Sequence, residues 1–593
     1  MMKKQILFLA VLATLLISCR ENTKSIQSGS GDAAFQKLSD EFLDGYLAWR
    51  PQYAVYLGIH EYDGKITDFS KQSIDSELIR LKTYEQKFSA IDSAYLSPEM
   101  YYDLRILLGA LRNEIFNFED LQIFKKNPLV YFEPSPVIDG FLAIDLSLYL
   151  NRSFAPFEER IKSIVSLEKE IPGIVTNVES NLVDSLAKPY INSTIETVKG
   201  SVSFLENDLV DAVKNITNDS LKTAFNTSNK KAVSSLNEFI QYLEKEKLPK
   251  ANNRFAIGRD NYIKMLSYEY VTISPEELLR IGFKKLAEEQ EKFNAAAKSI
   301  NPSLNPVEVY AGMAKEHSTA ENLISDVRSS AEAIRQYIID KKILTLSSEI
   351  HTKVKEMPKY LRVYAAMMDI PGPWEKKATE AYYYITPVDP TWTSKQKEDW
   401  LSMFDYYTTD ITTFHEAYPG HFIQNIVLNA SSAIRIEKIF PSYTFTEGWA
   451  HYGEQMMIEE GYGNTGDPIK AAKYRLAQSG EALVRLCRFC MSLKMHCEGI
   501  SLEEATRFFM DNWHHDEYSS GLEAIRGTYD PRYLFYTLGK LEVLKLKEDY
   551  KKQEGANFSL QKFHDQLLDN GMPPIPLLRE RLLKDKNKWD EIL

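Results

Sequence analysis

His415-Glu416-Ala417-Tyr418-Pro419-Gly420-His421, followed 26 residues later by Glu447-Gly448-Trp449-Ala450, is the stretch from which fold and chemistry are both read. A catalytic divalent metal takes three protein ligands and keeps one position open for water, and His, His and Glu are ligands that zinc favours. A Glu beside the first His can then accept the water's proton, the division of labour in the His-Glu-x-x-His metallopeptidases. The spacing departs from that pattern, because the two histidines stand six apart instead of four. On a regular helix four residues turn about 400° and return to one face, whereas six turn about 600° and land nearly opposite. The two extra residues must be absorbed by a bulge, expected at Pro419-Gly420, since Pro breaks the helical ladder and Gly tolerates the backbone angles.

Histidine is scarce here, ten in 593 residues, and six of the ten fall between 415 and 515, which argues against an accidental cluster. The set read from these residues is therefore His415, His421 and Glu447 as ligands of one zinc ion per chain, with Glu416 as general base. Glu447, His451 and Glu454 stand at i, i+4 and i+7 of a helix expected from 446 to about 460, so they share a face. From there Glu454, and on weaker grounds His451, are placed to orient the ligands; a satisfied polar residue on a helix is the other reading of His451. Further along, His496, Arg526, Tyr529, Tyr536 and Lys540 are groups able to stabilise an oxyanion or hold a carboxylate, but spacing alone brings none of them to the metal.

Outward from the motif, most of the chain has helical periodicity. Segments 34–57, 74–91, 98–118, 157–182, 231–244, 275–300 and 320–340 place apolar residues at three- and four-residue steps. Ser97, Ser274 and Ser501, each followed by acids, look like helix starts. The clearest strand signal is 378–388, where Tyr382-Tyr383-Tyr384-Ile385-Thr386 carries aromatic and β-branched residues just upstream of the motif. Such a strand could pair with an extended substrate, or be an edge strand with no ligand. The fold expected is mainly α: a large helical protein with a zincin-like metallohydrolase core and a small β element beside the site. A polar break at 249–259 separates an N-terminal helical lobe, 34–250, from a metal-binding catalytic lobe, 251–593, though 34–593 could equally form one domain.

Residues 1–18 read as a secretory signal, with Lys3-Lys4 before an apolar run that is too short for a stable membrane span. Leu16-Ile17-Ser18-Cys19 resembles the bacterial lipobox, in which the cysteine is lipidated. Residues 19–33, rich in Ser, Gly and small polar residues, then form a flexible tether. The expectation is an extracytoplasmic lipoprotein anchored to a bacterial membrane at Cys19. The net charge of −12 argues against nucleic acid as a partner. The remaining cysteines, Cys487, Cys490 and Cys497, lack a fourth partner for a structural zinc site and read as free thiols.

The chain resembles the bacterial domain-of-unknown-function family 885 from about residue 35 to the C-terminus. The resemblance is carried by Pro51-Gln-Tyr-Ala-Val-Tyr-Leu-Gly-Ile-His-Glu-Tyr-Asp63, by Thr272-Ile-Ser-Pro-Glu-Glu-Leu-Leu-Arg-Ile-Gly282, and by the His-Glu-x-x-Pro-Gly-His string. Glu447-Gly-Trp-Ala-His-Tyr-Gly-Glu454, Glu523-Ala-Ile-Arg526, Pro531 and Tyr536-Thr-Leu-Gly-Lys540 extend it. That family is grouped with zinc metallopeptidases having a glutamate as third ligand, and its substrates are mostly undefined. The resemblance implies the same ligands and base, adds His496, Arg526 and Tyr536 as active-site residues, and marks Tyr452 and Glu454. It also exposes departures: His451 stands where the family usually has an apolar residue, Ser492 where an Asp commonly precedes His496 by four, Gly527 in place of a Tyr, and Tyr533 in place of a Gln.

The function expected is a membrane-tethered zinc hydrolase, foremost a peptidase, with a peptide or other amide or ester as partner. A metal-dependent esterase or non-peptide amidase would use the same centre. A non-catalytic nutrient-binding lipoprotein, for which 34 Tyr and 29 Phe supply stacking surface, is the rival from another class.

Overall fold

Apolar periodicity becomes helix through most of the chain in the computed structural model, which describes residues 28–133, 143–346, 349, 351–362, 365–431 and 435–593. The signal segment, Cys19 and most of the tether lie outside the described residues. Helices α1 (Asp32–Trp49), α2 (Pro51–Tyr56), α3 (Pro98–Phe116), α4 (Phe157–Asn181) and α5 (Asp219–Tyr242) build the N-terminal half. Pro51, whose fixed φ suits the first turn, opens α2 straight after α1 ends, so the segment expected as one helix is two. Ser97 caps α3 by accepting the N–H of Met100, and Ser274 caps α6 (Pro275–Ile300) by accepting that of Glu277, the serine-headed starts read from sequence.

Two large apolar cores result among the described residues, beside a small cluster of Met357, Leu361 and Tyr384. One is built from residues between Phe35 and Leu243, joined by Ile436, Ile439 and Leu577. The other runs from Phe255 to Ile592 and takes in Phe116 and Ala187 from the first half. Among the described residues no helix is long and apolar enough to cross a membrane.

The β element is a three-stranded sheet of β1 (Lys353–Glu356), β2 (Ala366–Asp369) and β3 (Tyr382–Ile385), in the order β1-β3-β2. Tyr383 lies opposite Val354 of β1 in the parallel ladder and Met368 of β2 in the antiparallel one. The strand expected to offer its backbone to a substrate, or to stand at an edge, is therefore the central one, with both flanks already paired. Its buried Tyr383 instead points towards Thr413, two residues before the first histidine of the motif, with 3.5 Å between their hydroxyl oxygens.

The motif falls on α7 (Tyr406–Glu416) and α8 (His421–Ala430). The helices that surround it are α9 (Tyr443–Glu459), α10 (Pro468–Leu493), α11 (Glu517–Tyr529) and α12 (Phe535–Glu554). Helices α9 and α12 touch backbone to backbone: a Cβ on Gly448 would sit 2.5 Å from Gly539 atoms, and one on Gly539 2.0 Å from the Thr444 carbonyl oxygen. Only glycines permit that approach, and it places Glu447 and Tyr536 on adjoining helices.

Candidate metal centre

The two extra residues are absorbed by a complete break rather than a bulge. Helix α7 stops at Glu416 and α8 restarts at His421, with Ala417–Gly420 as the connection and a cis peptide between Tyr418 and Pro419. Gly420 has no alternative, since a Cβ there would lie 1.7 Å from the His415 carbonyl oxygen. The indole N–H of buried Trp449 donates to the Pro419 carbonyl at 2.9 Å and fastens the break to α9. His415 thus ends one helix, His421 begins the next, and their rings meet edge to face with centroids 4.7 Å apart.

Glu447 projects between them from α9. Its Oε2 is 3.5 Å from His415 Nε2 and 3.6 Å from His421 Nε2, and the donor atoms of all three residues lie within 4.8 Å of one another. Ligands at about 2.0–2.1 Å in tetrahedral array stand about 3.3–3.4 Å apart, so the spacing fits a small divalent cation. Glu447 Oε2 is buried and, among the described residues, faces these two ring nitrogens without a hydrogen bond, which suits an oxygen that shares a cation with them. His415, His421 and Glu447 are therefore a donor set of the chemistry and spacing zinc takes.

Behind them sits a buried polar relay. Glu454 Oε1 is 2.7 Å from His415 Nδ1, its Oε2 is 3.0 Å from His451 Nδ1, and Arg485 Nη2 of α10 lies 3.1 Å from Oε1. Nδ1 of His415 is thus the donor, and its Nε2, which carries a proton until a cation displaces it, faces Glu447 and His421. On the far side of His451, Nε2 accepts from the Lys540 ammonium at 3.4 Å. Burial pushes Glu454 towards its neutral form, but Arg485 and His451 outweigh it and hold the carboxyl well below its usual range. Burial likewise opposes charge on His415, yet Glu447 and Glu454 raise its pKa to about 9 in the metal-free protein. Glu447 is held at about 2, with burial outweighed by His421, His415 and Arg526.

Glu416 is half-buried, and its charge acts on both His421 and Tyr383. Tyr536 lies parallel to the His415 ring, with centroids 6.4 Å apart. Arg526 Nη2 donates to Tyr536 Oη at 3.3 Å, to Tyr443 Oη at 3.4 Å and to Asp530 at 3.0 Å. The hydroxyl hydrogens of both tyrosines remain available to an acceptor.

Other residues singled out in the sequence lie apart from this group. His496 donates from Nε2 to the Gly527 carbonyl at 2.8 Å and accepts the Ile257 N–H on Nδ1 at 3.3 Å. With both nitrogens engaged by backbone and its pKa lowered by burial to about 4, it is a neutral tie between segments. Tyr452 pairs its hydroxyl with His564 at 2.8 Å. Ser492, at the position of the expected Asp, hydrogen-bonds Tyr262 and the Pro531 carbonyl, both at 2.6 Å, and is not the partner of His496. Gly527 and Tyr533 explain one another, because a Cβ on Gly527 would fall 2.2 Å from the Tyr533 hydroxyl. Sequence reasoning misses Arg485 and Tyr443: Arg485 lies on a helix with no motif signal, whereas Tyr443, four residues or one helical turn before Glu447, has a legible hint in that spacing.

A cavity of about 310 Å³ opens beside Glu447 and Tyr443, bounded by both halves of the chain. A second, of about 470 Å³, shares Arg532 and Asn113 with it, and a third, of about 1210 Å³, is bordered by Arg526 and shares Tyr529 with the second. The three lie in series where the two cores meet, and of the donor set Glu447 lines the first.

The chain belongs to a family of bacterial proteins of unknown function (DUF885), whose model matches residues 51–582. It is similar in structure to a putative lipoprotein of unknown function from Shewanella oneidensis, with a TM-score of 0.76 at 22% identity over 93% of this chain and 100% of that one. It is also similar to the putative lipoprotein from Colwellia psychrerythraea, with a TM-score of 0.77 at 18% identity over 95% and 100%. At such identities the likeness shows a shared fold. Among the curated proteins, none matches this sequence.

Proposed function

We propose that the chain is a zinc-dependent hydrolase, foremost a peptidase, tethered outside the cytoplasm through Cys19. The observation that carries the reading is the convergence of His415 Nε2, His421 Nε2 and an otherwise unpartnered Glu447 Oε2 beside Glu416. His415, His421 and Glu447 would hold the ion, which when bound supplies Lewis acidity and makes water nucleophilic at neutral pH. Glu416 takes the proton of the attacking water and delivers it to the leaving group. Glu454 keeps Nδ1 of His415 as a donor, so that Nε2 is the nitrogen that would hold the ion. Tyr536 and Tyr443, held by Arg526, donate to the oxyanion that forms from the substrate carbonyl. The tether is supported by the Leu16-Ile17-Ser18-Cys19 pattern and agrees with the description of both similar structures as putative lipoproteins.

Glu416→Gln tests the mechanism, since it preserves size and is not a proposed ligand. Zinc content should stay at one per chain, and hydrolysis should fall about 10²–10⁴-fold, the usual contribution of a positioned base. A twofold drop with zinc still bound would refute the assignment, and a wild-type protein that holds zinc but cuts no peptide or ester would favour a binding lipoprotein.

A further inference from the structure

The Pro51–Asp63 stretch, far in sequence from the metal ligands, forms a wall of the cavity beside them. Tyr53, Tyr56 and Leu57 of this stretch line it, facing Tyr268, Tyr443 and Phe535 from the other half, and Glu447 lies in the same lining. The wall is fixed by close backbone contact. A Cβ on Gly372 would sit 2.3 Å from the Leu57 carbonyl carbon, one on Gly58 2.3 Å from the Glu375 nitrogen, and the Trp374 N–H donates to the Leu57 carbonyl at 3.0 Å. Gly58 has a φ of +88°, a conformation that suits glycine.

Most charged groups in this lining are already engaged by the protein. Glu114 is paired with Arg50 at 2.8 Å and accepts the Tyr46 hydroxyl. The Lys438 ammonium donates to the Asn429 and Ser431 carbonyls at 3.3 and 3.1 Å. Glu269 accepts the Ser442 hydroxyl, and the Arg532 guanidinium lies over the Tyr443 ring at 5.7 Å. What the cavity offers a ligand is ring surface with little free charge.

We propose that this cavity is the specificity pocket of the metal centre and receives an aromatic side chain flanking the hydrolysed bond, so that the substrates are peptides bearing Phe, Tyr or Trp at that position. The inference rests on the hydrolase reading above and adds the substrate class. Its basis is contiguity: Glu447 and Tyr443 belong both to the metal centre and to the pocket wall, so a residue next to a carbonyl at the metal has this cavity as its neighbouring space. Rings pack on rings in offset and edge-on arrangements, and an ionic side chain would lose its hydration in a lining whose charges, Arg532 beside Asp530 and Glu269 included, are engaged by the protein.

The test is a blocked peptide series, acetyl-Ala-Ala-Xaa-Ala-Ala-amide with Xaa as Phe, Leu, Ala, Asp or Lys, given to the zinc-loaded protein, with cleavage sites read by mass spectrometry. A bond on one side of Phe should be cut about 10–100-fold faster than the same bond beside Ala, with Asp and Lys no better than Ala, as expected when a ring is moved from water into an apolar pocket. Ala110→Phe, in the pocket lining on α3, should reduce the Phe preference to below about threefold with zinc still bound. Equal rates across the series, or a preference for Asp or Lys, would overturn the proposal. Binding of the same peptides to zinc-loaded Glu416→Gln, measured by calorimetry, separates it from the hydrolase reading. Tighter binding of the Phe peptide by about tenfold or more supports the pocket even if the wild type cuts nothing, and equal binding of Phe and Ala peptides sinks it.

Discussion

Glu447→Ala and Glu454→Gln should damage zinc binding in different degrees, because the two carboxylates stand on opposite sides of His415. Glu447 faces Nε2 of both histidines at 3.5 and 3.6 Å, whereas Glu454 meets His415 at Nδ1, the nitrogen that points away from the other donors. Structural zinc sites bind with about 10–16 kcal/mol shared over four ligands, so one protein donor is worth about 2.5–4 kcal/mol, on the order of 10²–10³-fold in affinity. Losing the group that orients a ligand costs less, typically about 10–100-fold. In Glu454→Gln the amide N–H₂ also faces a donor, either Arg485 or a histidine N–H, so the thermal transition should fall as well. Competition with a chelator of known affinity, with zinc measured by mass spectrometry, ranks the variants. If Glu454→Gln lost more zinc than Glu447→Ala, or if Glu447→Ala kept one zinc at wild-type affinity, the ligand assignment would be wrong.

Zinc binding at pH 7 should release about one proton, because metal-free His415, raised from 6.5 to about 9, is protonated there while Glu447, near 2, is already ionised; affinity then falls about tenfold per unit as pH drops below 9. By the same linkage, the stability that charged His415 gives the metal-free protein is fully present below about 6.5 and is lost as pH rises through about 9; calorimetry in two buffers of different ionisation heat checks the proton count, and a count of zero would refute it. Gly448→Ala should cost about 1–3 kcal/mol, as overpacking does, and weaken zinc binding, since its Cβ would meet Gly539 at 2.5 Å and push Glu447 out of place; an unchanged melting temperature and zinc affinity would contradict the close helix contact. Cys19→Ser should move the protein from the membrane to the soluble fraction, and continued extraction only by detergent would count against lipidation.

The parts legible in the sequence are those with local causes. Ligand residues six and 26 apart could be read because they sit on helices close together in the chain, and Ser97 and Ser274 marked their helix starts because a cap is a contact between a residue and the turn that follows it. The i, i+7 step from Glu447 to Glu454 likewise led from donor to buried relay. What escaped was set by distant partners. Nothing local shows that β3 has a strand on each flank, since β1 and β2 are weak four-residue signals. His496 looked catalytic because it is a histidine in a suggestive block, yet its two nitrogens are satisfied by the backbone of Gly527 and Ile257, the latter 239 residues away. Arg485, which shares Glu454 with His415, is one of many arginines until α10 is packed against α9.

The division of labour between the two halves follows from the same packing. All three donor residues, Glu416 and the groups that orient them come from residues 415–540, so among the described residues the first half contributes no ligand. It contributes enclosure. Helices α1, α2 and α3 supply Tyr46, Tyr53, Tyr56, Ile106 and Ala110 to the cavity wall opposite Tyr443 and Phe535, and without them that side of the centre would face water. Enclosure strengthens the electrostatics on which the centre depends, because Arg526 holding two tyrosines, or Glu454 holding His415 and Arg485, is worth far more in a low-dielectric seam than at a wetted surface. The Gly58–Glu375 and Gly372–Leu57 contacts clamp the halves together at the rim of that cavity. The glycines that matter most therefore lie at two kinds of place: between α9 and α12, where they bring Glu447 and Tyr536 side by side, and between the halves, where they close the wall that faces them.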